Sequence, residues 1–270
     1  MSVSVKPAYL LLPAPAVALG VVVAMRHGAS PMAFAPNVLA MVLGAIASVA
    51  FAGQTAQRQQ RILGWAAVAA CALVGLTLAS SGLEGVHRWI RLGPVWLNAS
   101  MAFSPWVLGA ALARSRAWAS AMLLALLGLH AVQPDAGQAT ALGAAIVAIT
   151  LRRSPLSVLA VLALVAGTWM RADPLSPVDH VERILVLAVS DGPLLAGAAV
   201  LALGVLFLPM VQALKHANTE YRWLGMAFGL YFAGEIAMTF VGNFPVPIMG
   251  AGAGAVLGWY AMLINLRAGV

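Results

Sequence analysis

Ten apolar stretches set the terms for this chain. They run over roughly 8–25, 33–52, 62–81, 100–113, 117–133, 136–151, 155–170, 183–210, 221–241 and 247–266. A helix that crosses a bilayer needs ~20 mostly apolar residues. Backbone in hydrocarbon must also satisfy its own hydrogen bonds, which a helix does within itself. The sequence therefore predicts an all-α polytopic membrane protein, about ten transmembrane helices in one bundle, with residues 1–270 as a single transmembrane domain. The fourth to seventh stretches are short and must draw on flanking residues. The eighth is too long for one rod, since residues 177 to 210 would reach ~50 Å at ~1.5 Å per residue. Pro193 inside it removes a helical hydrogen bond, so a break is expected at Asp191-Gly192-Pro193.

Composition narrows the function classes. Charged residues make up 9% of the chain, apolar ones 62%, and mean hydropathy is +0.94. Soluble domains carry ~25% charged residues, which argues against a water-soluble enzyme or a disordered chain. The net charge of +7 comes from basic residues scattered in ones and twos. That scatter argues against a nucleic-acid partner. Cys71 is the single cysteine, so neither an intrachain disulfide nor a cysteine metal cluster can form. No metal site and no cofactor are read from the residues, with a divalent cation left open.

Basic loops stay in the cytoplasm. With the N-terminus inside and ten spans, ten of the 15 lysines and arginines fall inside, Arg58, Arg61, Arg152 and Arg153 among them. Five fall outside, including Arg26, Arg88, Arg91 and Arg171. Glu84, Asp135, Asp173, Asp179 and Glu182 also fall outside. Both termini are then cytoplasmic.

Three polar clusters lie at outer span boundaries. The first is Gly85-Val86-His87-Arg88-Trp89-Ile90-Arg91-Leu92-Gly93. It reads either as an interfacial anchor or as a phosphate site, because guanidinium groups pair bidentately with phosphate oxygens. The second is Gln133-Pro134-Asp135-Ala136-Gly137-Gln138, a tight turn or helix start. Asp135 either caps the next helix or binds a ligand. The third is Ser176-Pro177-Val178-Asp179-His180-Val181-Glu182-Arg183. Ser176 fits an N-cap, Pro177 the first helical position and Asp179 the capping-box acid. A carboxylate beside a histidine is what proton transfer requires; spacing alone favours a surface salt bridge to Arg183.

Two acids lie within spans, where they are costly and face a cavity or a partner. Asp191 reads as a helix-end residue near the outer face. Glu235 reads as a partner for a cation at a neighbouring helix end. Alternatively both line a polar path.

In this order the segments resemble the SEDS family, of the RodA and FtsW type. The family's Gly…Arg-Trp-Ile…Leu-Gly and Leu-Gln-Pro-Ser-Glu are similar to Gly85, Arg88-Trp89-Ile90, Leu92-Gly93 and Leu97-Asn98-Ala99-Ser100-Met101. Gln-Pro-Asp-Leu-Gly-Thr-Ala resembles Gln133 to Ala139. Pro-x-x-His-Thr-Asp resembles Pro177-Val178-Asp179-His180-Val181-Glu182, with Ser190-Asp191-Gly192 in place of a later Glu-Glu-x-Gly. Pro-Leu-Pro-Phe-x-Ser-x-Gly-Gly resembles Pro245 to Ala253. The likeness runs from about residue 60 to the end.

The resemblance implies a ten-helix protein of the bacterial inner membrane, engaged in the peptidoglycan synthesis of cell division or cell shape. It implies lipid II or another undecaprenyl-linked lipid as substrate and a class B penicillin-binding protein as partner. Glu182 stands where the family has its catalytic Asp and would be the base. Arg88 and Arg91 would hold pyrophosphate, with Asp135 and His180 beside them. The chain departs from the pattern in several places. Met101 replaces a Glu and Ser104 a Lys, and Glu182 is one methylene longer than Asp. The large outer loop before the eighth span is cut to about twelve residues, 171–182. A glycosyltransferase is one reading. A non-catalytic scaffold or regulator of a cell-wall synthase, and a transporter of lipid-linked precursors, are the others.

Overall fold

A computed structural model describes residues 6–150, 155–171 and 173–268. Arg152 and Arg153, counted above on the inner side, lie outside the described residues. The first span opens with a 3-10 turn, Pro7–Leu11, followed by α1 (Pro13–Arg26). Helices α2 (Ala35–Ala52) and α3 (Ala56–Leu76) come next. A β-hairpin, β1 (Trp89–Leu92) with β2 (Val95–Asn98), leads into α4 (Ala99–Leu112). Then follow α5 (Arg116–Val132), α6 (Ala136–Thr150) and α7 (Pro155–Trp169). The eighth span is built from α9 (Ile184–Ser190), α10 (Pro193–Gly204) and α11 (Leu208–Leu214), preceded by the single turn α8 (Asp179–Glu182). Finally come α12 (Thr219–Met238) and α13 (Ala253–Ala268).

Four helical segments are long and apolar enough to cross a membrane by length and composition, among them Ala56–Ala79 and Pro193–Leu214. Four shorter apolar helices lie over 99–112, 117–132, 136–149 and 157–169. These are the stretches expected to be short. Leu194, Val200 and Leu201 are 70% exposed or more, the surface that a bilayer solvates.

Local chemistry fixes the boundaries. The polar run before the third apolar stretch is helical too, because Gln and Arg are good helix formers. Thr55 caps it by accepting the Arg58 N–H at 3.4 Å. The eighth span breaks where Gly192 takes φ 115° and Pro193 starts α10. Gly192 is free to adopt that angle, and Pro193 sits at N1, where its missing N–H costs nothing. The third cluster departs from its expected capping. Val178, not Ser176, is the N-cap of α8, and the acid that reaches back is Glu182, not Asp179. Two prolines, Pro174 and Pro177, hold the preceding segment out of helix, so the turn begins late.

Helix α13 is buried on all sides among its neighbours, packing on α2 and α4. Trp259 and Tyr260 are among the largest fully buried side chains. Close approach depends on glycine. A Cβ on Gly258 would run into the Met101 carbonyl oxygen of α4, and one on Gly254 would lie 2.6 Å from the Asn98 carbonyl oxygen. Small residues let membrane helices pack at such distances.

Candidate functional site

The hairpin separates the two arginines of the first cluster. Side chains alternate across a strand, so an odd spacing sends them to opposite faces. Arg88 and Arg91 are three apart. Arg88, just before β1, turns inward and is 2% exposed. Arg91 is exposed, with its guanidinium 5.5 Å from the Trp96 ring centroid and its Nε donating to the Gly93 carbonyl at 3.4 Å. The register Arg91↔Trp96 makes that stacking a cross-strand pair. The structure therefore keeps Arg91 apart from the buried Arg88, on the exposed face of the hairpin.

Arg88 is the centre of a closed polar cluster. Its Nη2 donates to the Pro134 carbonyl at 2.7 Å and to Asp173 Oδ2 at 2.6 Å. Its Nε lies 3.5 Å from Asp135 Oδ1, and the Phe244 ring centroid is 5.3 Å from its Cζ. Asp135 both caps and pairs. Its Oδ1 accepts the Gln138 N–H at 3.2 Å at the start of α6, while the same carboxylate faces Arg88. Its Oδ2 is buried without a hydrogen-bond partner among the described residues. Gln133 ties the site to the bundle by donating to the Val74 carbonyl at 2.8 Å and to Thr77 Oγ1 at 2.5 Å.

In the sequence Asp173 is one more outer acid. No motif marks it; the signal for it is physical. A buried guanidinium beside one capping carboxylate demands a further acceptor, and the shortened loop brings one. That loop is pinned at several points. Arg171 donates to the Ala131 carbonyl at 3.1 Å, Asn243 donates to the Leu175 carbonyl at 3.0 Å, and the Leu175 N–H reaches Asp173 Oδ1 at 3.3 Å. Asn243 and Phe244 come from the segment before α13, so that segment and the loop at 173–178 close on each other over Arg88.

Glu182 is half-buried at the edge of this cluster. Its Oε2 accepts the Val178 N–H at 2.7 Å. Burial pushes its carboxyl up to about 7 from 4.5. Hydrogen bonds from the Val178 N–H and its own N–H, together with the Arg88 charge, pull the other way, and Asp173 adds to the rise. A base poised near neutral pH is what proton abstraction favours. His180 contributes its backbone: its carbonyl accepts the Ala251 N–H at 2.9 Å, and the Val181 carbonyl accepts the Val246 N–H at 3.0 Å. These bonds dock α8 on the segment before α13. Asp179 lies 3.9 Å from Arg183, the exposed salt bridge expected from their spacing. Between hairpin, α8 and residues 245–255 lies a crevice of about 40 Å³, lined by Trp89, Trp96, Val181 and Val246 among others. Ligand pockets are usually ~300–1,000 Å³.

The two acids within spans have separate partners. Glu235 Oε1 accepts from Gln138 Nε2 at 3.0 Å, and the Tyr231 hydroxyl donates to Gln138 Oε1 at 2.6 Å. An amide thus fills the place expected for a cation, joining α6 to α12. Asp191 is the C-cap of α9 and pairs with Arg26 and His27, each at 3.1 Å, at the end of α1. The helix-end reading of Asp191 fits this placement, and the two acids face different neighbours.

No protein-family profile matches the sequence, and no curated protein matches it. Solved structures match closely in shape. The Thermus thermophilus Rod shape determining protein RodA and its D255A mutant each superpose with TM-score 0.73 at 18% identity. The match covers 98% of this chain and 96% and 97% of theirs, respectively. A chain from a peptidoglycan synthase complex that coordinates polymerization and crosslinking matches with TM-score 0.69 at 17% identity, over 98% of this chain and 97% of that one. In architecture the chain is similar to RodA: nearly all of its length follows that helical fold.

Proposed function

We propose that this chain works in bacterial cell-wall synthesis by engaging lipid II, or a related undecaprenyl-linked lipid, at the Arg88–Asp135–Glu182 cluster. The observation that carries the reading is convergence. Arg88 and Asp135, far apart in sequence and each in a segment resembling a SEDS motif, meet at 3.5 Å, and Glu182 of a third such segment lies close enough for the Arg88 charge to act on its carboxyl. The Arg88 guanidinium suits a pyrophosphate, and the phosphates of membrane lipids lie at the headgroup depth expected for the hairpin. For a phosphate to reach Arg88, Asp173 must give up its place, so the loop at 173–178 has to lift. In the enzyme form of the reading, Glu182 takes the proton from the acceptor hydroxyl while Arg88 stabilises the departing pyrophosphate. The chain would sit in the inner membrane with both termini cytoplasmic, beside a class B penicillin-binding protein.

A second reading has its own support. Arg88 Nη2 is already engaged by the Asp173 carboxylate and the Pro134 carbonyl, with Asp135 at 3.5 Å from Nε, and the crevice beside the cluster is small. A chain in this form suits a scaffold or regulator of a cell-wall synthase. Incubating the purified protein with lipid II, alone and with a class B penicillin-binding protein, separates the two. Glycan strands made by the chain alone support the enzyme. Lipid binding without strands supports the scaffold, and neither binding nor strands would overturn the lipid reading.

A further inference from the structure

The face of α3 farthest from the hairpin carries a groove of about 730 Å³ that the reading above does not use. Arg58, Arg61 and Trp65 line it, with Ile62, Ala66 and Ala69 beyond. These positions repeat every three or four residues, so they form one stripe along the helix. Neither guanidinium makes a salt bridge to a described residue, and both are exposed. Trp65 is 75% exposed. Helix α3 runs from Arg58 toward the 3-10 turn Thr77–Ala79 and then the hairpin, a rise of about 27 Å at ~1.5 Å per residue. The stripe is therefore on the opposite membrane face from Arg88.

We propose that this stripe is a binding site for an acidic phospholipid of the leaflet opposite the Arg88 cluster. The chemistry is stepwise along the helix. Arg58 and Arg61, one turn apart, present unpaired donors to a phosphodiester at headgroup level. Trp65, one turn deeper, has the amphipathic ring that settles at the interface. Ile62, Ala66 and Ala69 leave a shallow apolar channel for the start of an acyl chain. The charge of the site selects the lipid: two cations with no carboxylate in contact favour a headgroup of net negative charge over a zwitterionic one. Each basic residue near an anionic surface is worth about 1 kcal/mol, roughly fivefold in affinity.

The test uses the full chain in neutral detergent, with brominated phosphatidylglycerol and brominated phosphatidylcholine as quenchers. The Trp65 signal is the fluorescence of wild type minus that of Trp65→Phe. Phosphatidylglycerol should half-quench it at a concentration roughly 10- to 30-fold lower than phosphatidylcholine. In Arg58→Gln/Arg61→Gln the two lipids should become equivalent, while Arg58→Lys/Arg61→Lys, which keeps the charge, should retain part of the preference. Millimolar inorganic phosphate should not displace the lipid. Equal quenching by both lipids in wild type would overturn the proposal. So would a preference that survives the double Gln substitution, displacement by free phosphate, or no quenching at Trp65 by either lipid. All the substituted residues are exposed, and a matching elution profile checks that the bundle is intact.

Discussion

Arg88 Nη2 lies 2.6 Å from Asp173 Oδ2 inside a cluster where the arginine is 2% exposed. The cation that a lipid pyrophosphate would need is thus already engaged by a carboxylate from the chain itself. Removing either partner has different consequences. Arg88→Ala leaves the buried Asp135 without its cation, which should cost about 3–5 kcal/mol of stability. Asp173 is at the rim and 23% exposed, so Asp173→Asn should cost less, about 1–2 kcal/mol. Thermal unfolding in detergent reads the order of the two. Asp173→Asn should also tighten binding of undecaprenyl pyrophosphate if phosphate competes for the same guanidinium.

Glu182 gives the cluster a pH dependence. Its folded-state value of about 7 lies above the ordinary 4.5. Between those values the folded chain holds more protons than the unfolded one, so stability falls as pH rises. The contribution of this group is complete below about pH 4.5 and is lost as pH climbs through about 7. Wild type should melt at a lower temperature at about pH 8 than at about pH 5, and Glu182→Gln should remove part of that difference. An unchanged slope in the variant would mean that other groups carry it.

Much of the bundle was legible because hydrophobic length and proline placement act locally. The break at Gly192-Pro193 and the short middle helices follow from such local rules. The hairpin was harder to read. Its four-residue strands flank a Gly93-Pro94 turn, and Gly93 takes φ 60°, but strands this short carry no alternation long enough to separate a hairpin from an interfacial anchor or a phosphate site. Once the hairpin is known, strand alternation dictates that Arg88 and Arg91 part company. The role of Asp173 was not legible, since it depends on its loop meeting the segment before α13 in space. The same holds for Gln138, whose amide links Glu235 and Tyr231 across helices.

Helix α13 should tolerate little change at its contact with α4. A Cβ at Gly258 meets the Met101 carbonyl, which is backbone and cannot swing aside. Gly258→Ala should cost roughly 1–3 kcal/mol, the usual range for overpacking. Arg91→Ala, on the exposed hairpin face, should stay within about 0.5 kcal/mol of wild type. A thermal-shift comparison of the two variants tests whether the close approach, rather than the hairpin surface, limits stability.

The last prediction concerns chemistry. Glycosyl transfer needs a carboxylate within roughly 2.6–3.2 Å of the acceptor hydroxyl. Glu182 has the charge and a value near neutral, but its Oε2 is held by the Val178 N–H at 2.7 Å. The loop that would close over two bulky substrates is short and tied down by Asn243 and Arg171. A misplacement of ~1 Å can cost ~100-fold in rate. Polymerisation of lipid II by the purified chain should therefore be weak or absent, while binding of an undecaprenyl-pyrophosphate lipid survives in Glu182→Gln and falls in Arg88→Lys, which keeps a charge but loses the fork. Arg88→Lys also keeps a cation beside Asp135, so loss of binding in a folded variant reports on the ligand and not on the fold. Robust glycan strands from the wild-type chain, abolished by Glu182→Gln, would instead show that the shortened scaffold is a working polymerase.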